Sequence, residues 1–427
     1  MSCLQERLYG ARKVRMKRAA WAIVATSVLL YAASALVPIL RYENSSALVG
    51  FGCLPHGVCF ARDNLAVMPA DSLVYESGGY DGQFFYYMAA SIAGGGETHL
   101  DEPRFRRARI GYSLAAAPAF LLGPWALVFA MSFWPLALHF GILAMLVVFF
   151  NRTPGFNRER LAALALVALN PFSLRSFVLN VADGFALSLS LAAVLVFMEG
   201  RQSQTRRACL VAALLILALL SKETMLAAPF LLCVELFFER RGRSVGLWAL
   251  ALLIPGIAVV LWWAWIGFSP WLAAGRGTVP FAGLVEYLQE PDAFLSGRGL
   301  LVPLLFFYFV CGLALCSRAI VSRERALFGP GLALVLIGLV ISTGTADEYW
   351  GNFANIMRMF TPGVLALFVW AWRRPGTGRW CLVVVSACAA YFLLLDLLML
   401  KADLGSGLLP HRPLEQLLED APPGSGT

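Results

Sequence analysis

Residues 125–150 read WALVFAMSFWPLALHFGILAMLVVFF, a run whose one ionisable side chain is His139. A membrane-spanning helix needs ~20 mostly apolar residues, so this run is long enough to cross. Only helices and closed barrels satisfy their backbone in lipid, and a continuous apolar run without alternation reads as helix. Similar runs lie near 19–40, 161–178, 182–198, 208–220, 224–238, 245–267, 300–316, 326–343, 359–372 and 380–400. Across all 427 residues, 59% are hydrophobic and 14% charged, where a soluble domain carries roughly 25% charged residues. The expected fold is all-α: a polytopic transmembrane helical protein of about 11 spans, with 112–123 too short to cross and read as re-entrant or interfacial.

Charge sets the expected orientation. The segments 1–18, 151–160, 200–207, 239–244, 317–325 and 373–379 hold 21 of the 34 Lys and Arg against four acids. The rest of the chain holds 13 basic and 22 acidic residues. Short basic loops stay on the cytoplasmic side, so the net charge of +8 is a topology signal and not a nucleic-acid footprint. The expected layout has a cytoplasmic N-terminus over 1–18, one transmembrane domain over 19–400 with an external loop at 41–107, and a poorly ordered external tail over 401–427. Ala33-Ser34-Ala35 resembles a signal-peptidase site, but the apolar run continues past it, so the first span reads as an uncleaved anchor.

Ionisable residues at membrane depth are costly and point to function. With this orientation they gather on the external side: Arg175, Asp183, Lys222, Glu223, Arg358 and Asp396 at span ends, and Arg104, Arg106, Arg107 and Arg109 at the end of the loop. The loop itself holds Gly79-Tyr80-Asp81-Gly82-Gln83-Phe84-Phe85-Tyr86-Tyr87-Met88-Ala89. On helical spacing Tyr80, Gln83 and Tyr87 share a side, and Phe84 and Met88 share another. A transporter places polar groups near the midplane at matching points of two halves. The one-sided pattern here fits an enzyme that faces outward and takes a lipidic reactant from the bilayer.

Tyr80-Asp81-Gly82-Gln83-Phe84-Phe85-Tyr86-Tyr87 resembles the Asp-Gly-Gln-Phe-Tyr-Tyr-type motif of bacterial multi-span glycosyltransferases of the GT-C superfamily, which use polyprenyl-phosphate sugars. Arg109-Ile110-Gly111-Tyr112 is similar to their Arg-Ile-Leu-Tyr-Pro segment, with Ser113 where Pro is usual. Ser221-Lys222-Glu223-Thr224 resembles their basic-Glu-Thr hairpin, and Arg358 before Pro362 their late arginine. The resemblance implies a GT-C-like fold in the bacterial inner membrane, a periplasmic site, and transfer of a sugar with inversion to a glycan, lipid or protein acceptor. Asp81 would be the base that takes the acceptor's proton. Lys222, Arg358, Arg104, Arg106, Arg109 and Arg175 are candidates for holding the phosphate, and Asp183, Glu223, Tyr80, Gln83 and Tyr87 for orienting those cations or binding sugar. No Asp-x-Asp motif is present, so no metal cofactor is inferred.

Each assignment has a plainer counterpart. Asp81 can cap a helix; Lys222 can pair with Glu223, Arg175 with Asp183, and Arg358 with Asp347 or Glu348; the arginine cluster can simply meet lipid headgroups. Trp262, Trp263 and Trp265 read as an interfacial belt. Cys53 and Cys59 are the one cysteine pair in the external loop, and an oxidising compartment would let them form a disulfide. A lipid-linked glycan transporter and a non-catalytic polyprenyl-phosphate-binding partner are the competing functional readings.

Overall fold

The computed structural model describes residues 3–54, 58–152, 157–199, 202–238, 244–269, 279–290, 297–373 and 379–419. It is almost wholly helical. The helices are α1 (Cys3–Tyr42), α2 (Phe60–Asp63), α3 (Gly82–Ile92), α4 (Pro103–Arg107), α5 (Ile110–Ala116), α6 (Pro124–Arg152), α7 (Arg158–Ala168), α8 (Pro171–Val178), α9 (Asp183–Met198) and α10 (Gln204–Ser221). They continue as α11 (Ala227–Phe238), α12 (Val245–Trp265), α13 (Ala282–Leu288), α14 (Leu301–Val321), α15 (Phe328–Ser342), α16 (Phe353–Met359), α17 (Thr361–Arg373), α18 (Arg379–Gly405) and α19 (Leu414–Glu419). Parts of the basic segments 151–160, 200–207, 239–244 and 373–379 lie outside the described residues.

Among the described residues, eight helices are long and apolar enough to cross a membrane, which is the build of a multi-pass membrane protein. The expectation of about 11 spans is met only in part. Three expected spans form the shorter helices α9, α11 and α17, of 16, 12 and 13 residues. At 1.5 Å per residue these are about 18–24 Å long, short of a ~30 Å hydrocarbon core. Each is preceded or opened by charged residues: Asp183 begins α9, Lys222 and Glu223 precede α11, and Arg358 precedes α17. The element at Ile110–Leu122 is also short, as its sequence implied.

The side-chain contacts give the bundle two distinct ends. At one, Arg207 at the start of α10 donates to the carbonyls of Val196 and Phe197 at the end of α9, and Phe197 packs on Trp248 of α12. At that same end Arg160 of α7 lies over the ring of Trp372 at the end of α17, 4.8 Å from its centroid. At the other end lie Asp183, Lys222 and Arg358, so α9, α10 and α17 all run from one end to the other.

That second end carries the folded loop. An Asn170-Pro171 step starts α8: Pro is favoured in a first helical turn, and Asn170 caps it by accepting from the Phe172 N–H at 3.1 Å. Asn180, at φ 49°, turns the chain back into α9, a conformation that Asn tolerates better than most. Onto this turn packs the start of α3. A Cβ on Gly82 would sit 2.6 Å from the carbonyls of Leu179 and Val49, so only glycine allows the approach. Gly111 of α5 makes a second close approach, with Ser221 and Leu217 of α10 inside 3 Å of where its Cβ would stand.

Cys53 and Cys59 form a disulfide that staples the loop. Within the expected tail over 401–427, the described residues to 419 carry regular structure. α18 runs through to Gly405, His411–Pro413 pairs antiparallel with Leu73–Tyr75, and α19 follows. The pairing succeeds because Leu73–Tyr75 offers a strand edge that a Pro-containing segment can line without serving as a central strand. Gly82→Ala is expected to lower stability by about 1–3 kcal/mol through overpacking, read as a reduced melting temperature of the detergent-purified protein. An unchanged melt would show that α3 can be displaced freely.

Candidate functional site

Four stretches distant in sequence bring eight ionisable side chains into contact. Asp81 Oδ2 accepts from Arg358 Nη1 at 2.7 Å, and its Oδ1 lies 3.1 Å from Arg106 Nη1. Arg358 Nε reaches back to Asp183 Oδ2 at 2.8 Å, and Lys222 Nζ lies 3.3 Å from Asp183 Oδ1. Arg106 also forks onto Asp101 at 2.8 and 2.7 Å, and Arg109 onto Glu223 at 2.8 and 2.6 Å. Two-pronged arginine–carboxylate contacts of this kind fix geometry as well as charge.

The helices explain why these groups meet. Asp81 precedes α3, whose position is fixed by the Gly82 contact. Arg106 is on α4, with its guanidinium 4.3 Å over the Phe84 ring of α3. Arg109 lies just before α5, and the Gly111 contact with α10 delivers it to Glu223. Trp262 and Trp263 of α12 do more than mark an interface: their ring N–H groups donate to the Arg107 and Ala108 carbonyls at 2.8 and 3.4 Å, anchoring α4 from the far side.

Exposure separates the roles. The Asp183 side chain is fully buried, and those of Lys222 and Arg358 are 7% and 8% exposed. Asp81 and Glu223 remain 30% and 33% exposed. Lys222 and Arg358 are thus held from behind by Asp183, while two carboxylates stay partly exposed. Burial pushes Asp81 up, but the Arg358 and Arg106 guanidiniums beside it outweigh that and hold it well below the usual carboxylate range. Burial also raises Glu223, yet Arg109 and Lys222 bring it down to about 2. Lys222 is pulled down to about 8 by burial and by the neighbouring Arg109, against the opposing pull of Asp183.

The plainer pairings of the sequence reading are not those found. Asp81 occupies the residue before α3, but its side chain makes no capping hydrogen bond. Lys222 faces Asp183, and Glu223 faces Arg109. Arg175 does not join the site: it pairs with Asp403 at 3.3 Å, because α8 turns it toward the end of α18. Arg104 is exposed and lies near Gly267, outside the network. Gln83 and Tyr87 are buried in the loop. Gln83 accepts from the Gly52 N–H at 3.1 Å and donates to the Gly78 carbonyl at 2.9 Å; Tyr87 reaches the Met68 sulfur at 3.7 Å. Tyr80 packs against Tyr75 with the rings tilted by 57° and their centroids 5.3 Å apart. The sequence reading missed Asp101, whose one local signal is its place just before Pro103, at the entry to the arginine-bearing helix.

Among the described residues no three His, Cys, Asp or Glu side chains converge to hold a metal ion. In comparisons with protein-family models, curated proteins and solved structures, nothing matches this chain.

Breaking a buried ion pair from one side typically costs 3–5 kcal/mol, because a charge is left uncompensated. Asp183→Asn should therefore destabilise the protein by about 3 kcal/mol or more, whereas Asp81→Asn, at a partly solvated position, should change stability by about 1 kcal/mol or less. Thermal denaturation of both purified variants checks the order; equal effects would contradict the division between supporting and exposed carboxylates.

Proposed function

We propose that this protein is an inverting membrane glycosyltransferase that moves a sugar from a polyprenyl-phosphate donor to an acceptor hydroxyl, at the periplasmic face of a bacterial inner membrane. The observation that carries the reading is Asp81: a partly exposed carboxylate gripped by two arginines whose other contacts hold them in place. If α9, α11 and α17 are counted as crossings, the chain passes about 11 times, which puts the six basic segments on one side and the network on the other. This layout agrees with the GT-C-like fold that the motifs resemble.

The chemistry suits the residues. In the transfer, the acceptor oxygen attacks the anomeric carbon and the bond from that carbon to the phosphate oxygen breaks, its electron pair leaving with the phosphate. The acceptor proton passes to Asp81. The departing phosphate gains a negative charge, and Arg358, Arg106 and Lys222 are placed to stabilise it. A phosphate is a stable leaving group, so no general acid is needed, unlike the two-carboxylate scheme of glycoside hydrolysis. Asp81 alone with its arginines is a weak base. A donor phosphate that draws Arg106 and Arg358 onto itself would weaken their hold on Asp81, raise its proton affinity and so make it a base when substrate is bound.

One observation favours a second reading, a lipid-linked glycan transporter. Asp396 of α18 is 1% exposed, and neither of its carboxylate oxygens has a hydrogen-bond partner among the described residues. Such a group within an apolar helix is a common mark of a transport path.

Two measurements decide. Purified protein supplied with a defined polyprenyl-phosphate sugar should form a glycosidic product, and Asp81→Asn should lower kcat by about a hundredfold or more, as expected for loss of a general base. Undiminished turnover in that variant would remove Asp81 from the chemistry, and movement of the lipid-linked sugar across vesicles without product would establish the transporter. The second is a pH series. Lys222, titrating at about 8, is cationic below that pH and neutral above it, so donor affinity should fall as pH rises through about 8 and this step should be absent in Lys222→Arg. A flat profile in the parent protein would place the phosphate elsewhere.

A further inference from the structure

Beside the charged network is a cavity of about 230 Å³, many times the ~10–15 Å³ that one water requires. It shares Tyr80 with the Asp81 stretch, and its polar wall is completed by Arg41, Tyr42, Tyr75, Arg175 and Asp403. Nothing in the function proposed above uses it.

The lining has a definite chemistry. Tyr42 and Tyr75 meet edge to face with centroids 5.3 Å apart, and Tyr75 meets Tyr80 at the same separation. Tyrosine combines an apolar ring with a polar tip, which suits the mixed C–H and hydroxyl surface of a sugar ring. Of the two guanidiniums, Arg41 donates to the main-chain carbonyls of Leu404 and Ser406 and to the Ser406 hydroxyl, with no carboxylate partner among the described residues. Arg175 shares one carboxylate, Asp403, at 3.3 Å, and its buried Nε has no hydrogen-bond partner among the described residues. Two permanent positive charges against one negative leave the cavity cationic.

The C-terminal segment is built as one wall of it. Arg41 grips Leu404 and Ser406, the Leu409 N–H donates to the Tyr42 hydroxyl at 2.9 Å, and the Glu76 N–H donates to the Pro410 carbonyl at 3.0 Å. Beyond these contacts, His411–Pro413 joins the strand at Leu73–Tyr75. The segment is thus held against the cavity by hydrogen bonds, those of Arg41 and Tyr42 coming from residues that line it.

We propose that this cavity binds a sugar bearing an anionic group, a carboxylate or a phosphate, with Arg41 and Arg175 on the anion and the tyrosine rings against the sugar. Its role as the acceptor subsite rests on the glycosyltransferase reading; the binding itself does not.

The test uses the full chain in lipid nanodiscs, titrated with glucuronate, glucose 6-phosphate and glucose and read by saturation-transfer NMR. An anionic probe should bind about tenfold more tightly than glucose, and Arg41→Ala and Arg175→Ala should each remove most of that preference, as loss of a charge-assisted contact implies. Arg41→Lys keeps the charge and should retain part of it, which separates loss of charge from misfolding. Preference for glucuronate or for glucose 6-phosphate identifies the anion. Equal binding of neutral and anionic probes, absence of binding, or indifference to both arginine changes overturns the proposal. Transfer activity that survives alongside such a failure leaves the enzyme reading intact. Anionic-sugar binding without any transfer leaves the cavity and removes only its acceptor role.

Discussion

Arg358 lies between two carboxylates, Asp183 behind it and Asp81 in front. An arginine as buried as this one cannot stand unpaired in an apolar bundle, because the desolvation penalty of an isolated ion is several kcal/mol even after relaxation. The start of α9, the end of α16 and the loop before α3 are therefore tied to one another by the need to keep that charge compensated. The arrangement accounts for the three short helices as well. Their site ends stop where polar backbone and charged side chains take over, and irregular backbone at membrane depth is tolerated only where protein or water covers it.

Full burial of Asp183 and partial exposure of Asp81 give two chemically identical side chains different uses. Asp183 meets Arg358 and Lys222 and has no solvent contact, so it fixes the positions of cations. Asp81 can be approached from outside, and a ligand anion can compete with it for Arg358 and Arg106. The network balances its charges without a ligand, yet its outward members can exchange partners while the inward ones stay fixed.

Much of the fold was legible in the chain. Long apolar runs can be little else than helices, and the clustering of charges near run ends and in the loop marked Asp81, Asp183, Lys222, Glu223, Arg358, Arg106 and Arg109, together with Arg104, Arg107, Arg175 and Asp396, which lie outside the network. Two of the expectations do not bring their residues into the network. Gln83 and Tyr87 share the Asp81 stretch but serve the loop, since α3 is almost wholly buried and its polar side chains find main-chain and sulfur partners there. Arg175 looked equivalent to the other charges at span ends, but it turns toward Asp403, in the stretch whose composition suggested disorder. Pro- and Gly-rich segments lack a local signal for strand pairing, and the partner strand lies more than three hundred residues earlier.

The amino-acid sequence by itself determined the helical class, the apolar lengths, the charge asymmetry and the residue types available for chemistry, because each follows from local periodicity and composition. Tertiary structure alone decided the pairings: Asp81 with Arg358 across 277 positions, Arg358 with Asp183 across 175, and Arg109 with Glu223 across 114. It also decided which helices fall short of a full crossing and which tyrosines surround the cavity beside the network. Those outcomes depend on close approaches such as Gly82 against the Leu179 and Val49 carbonyls, and a contact between distant segments leaves no periodic trace in either of them.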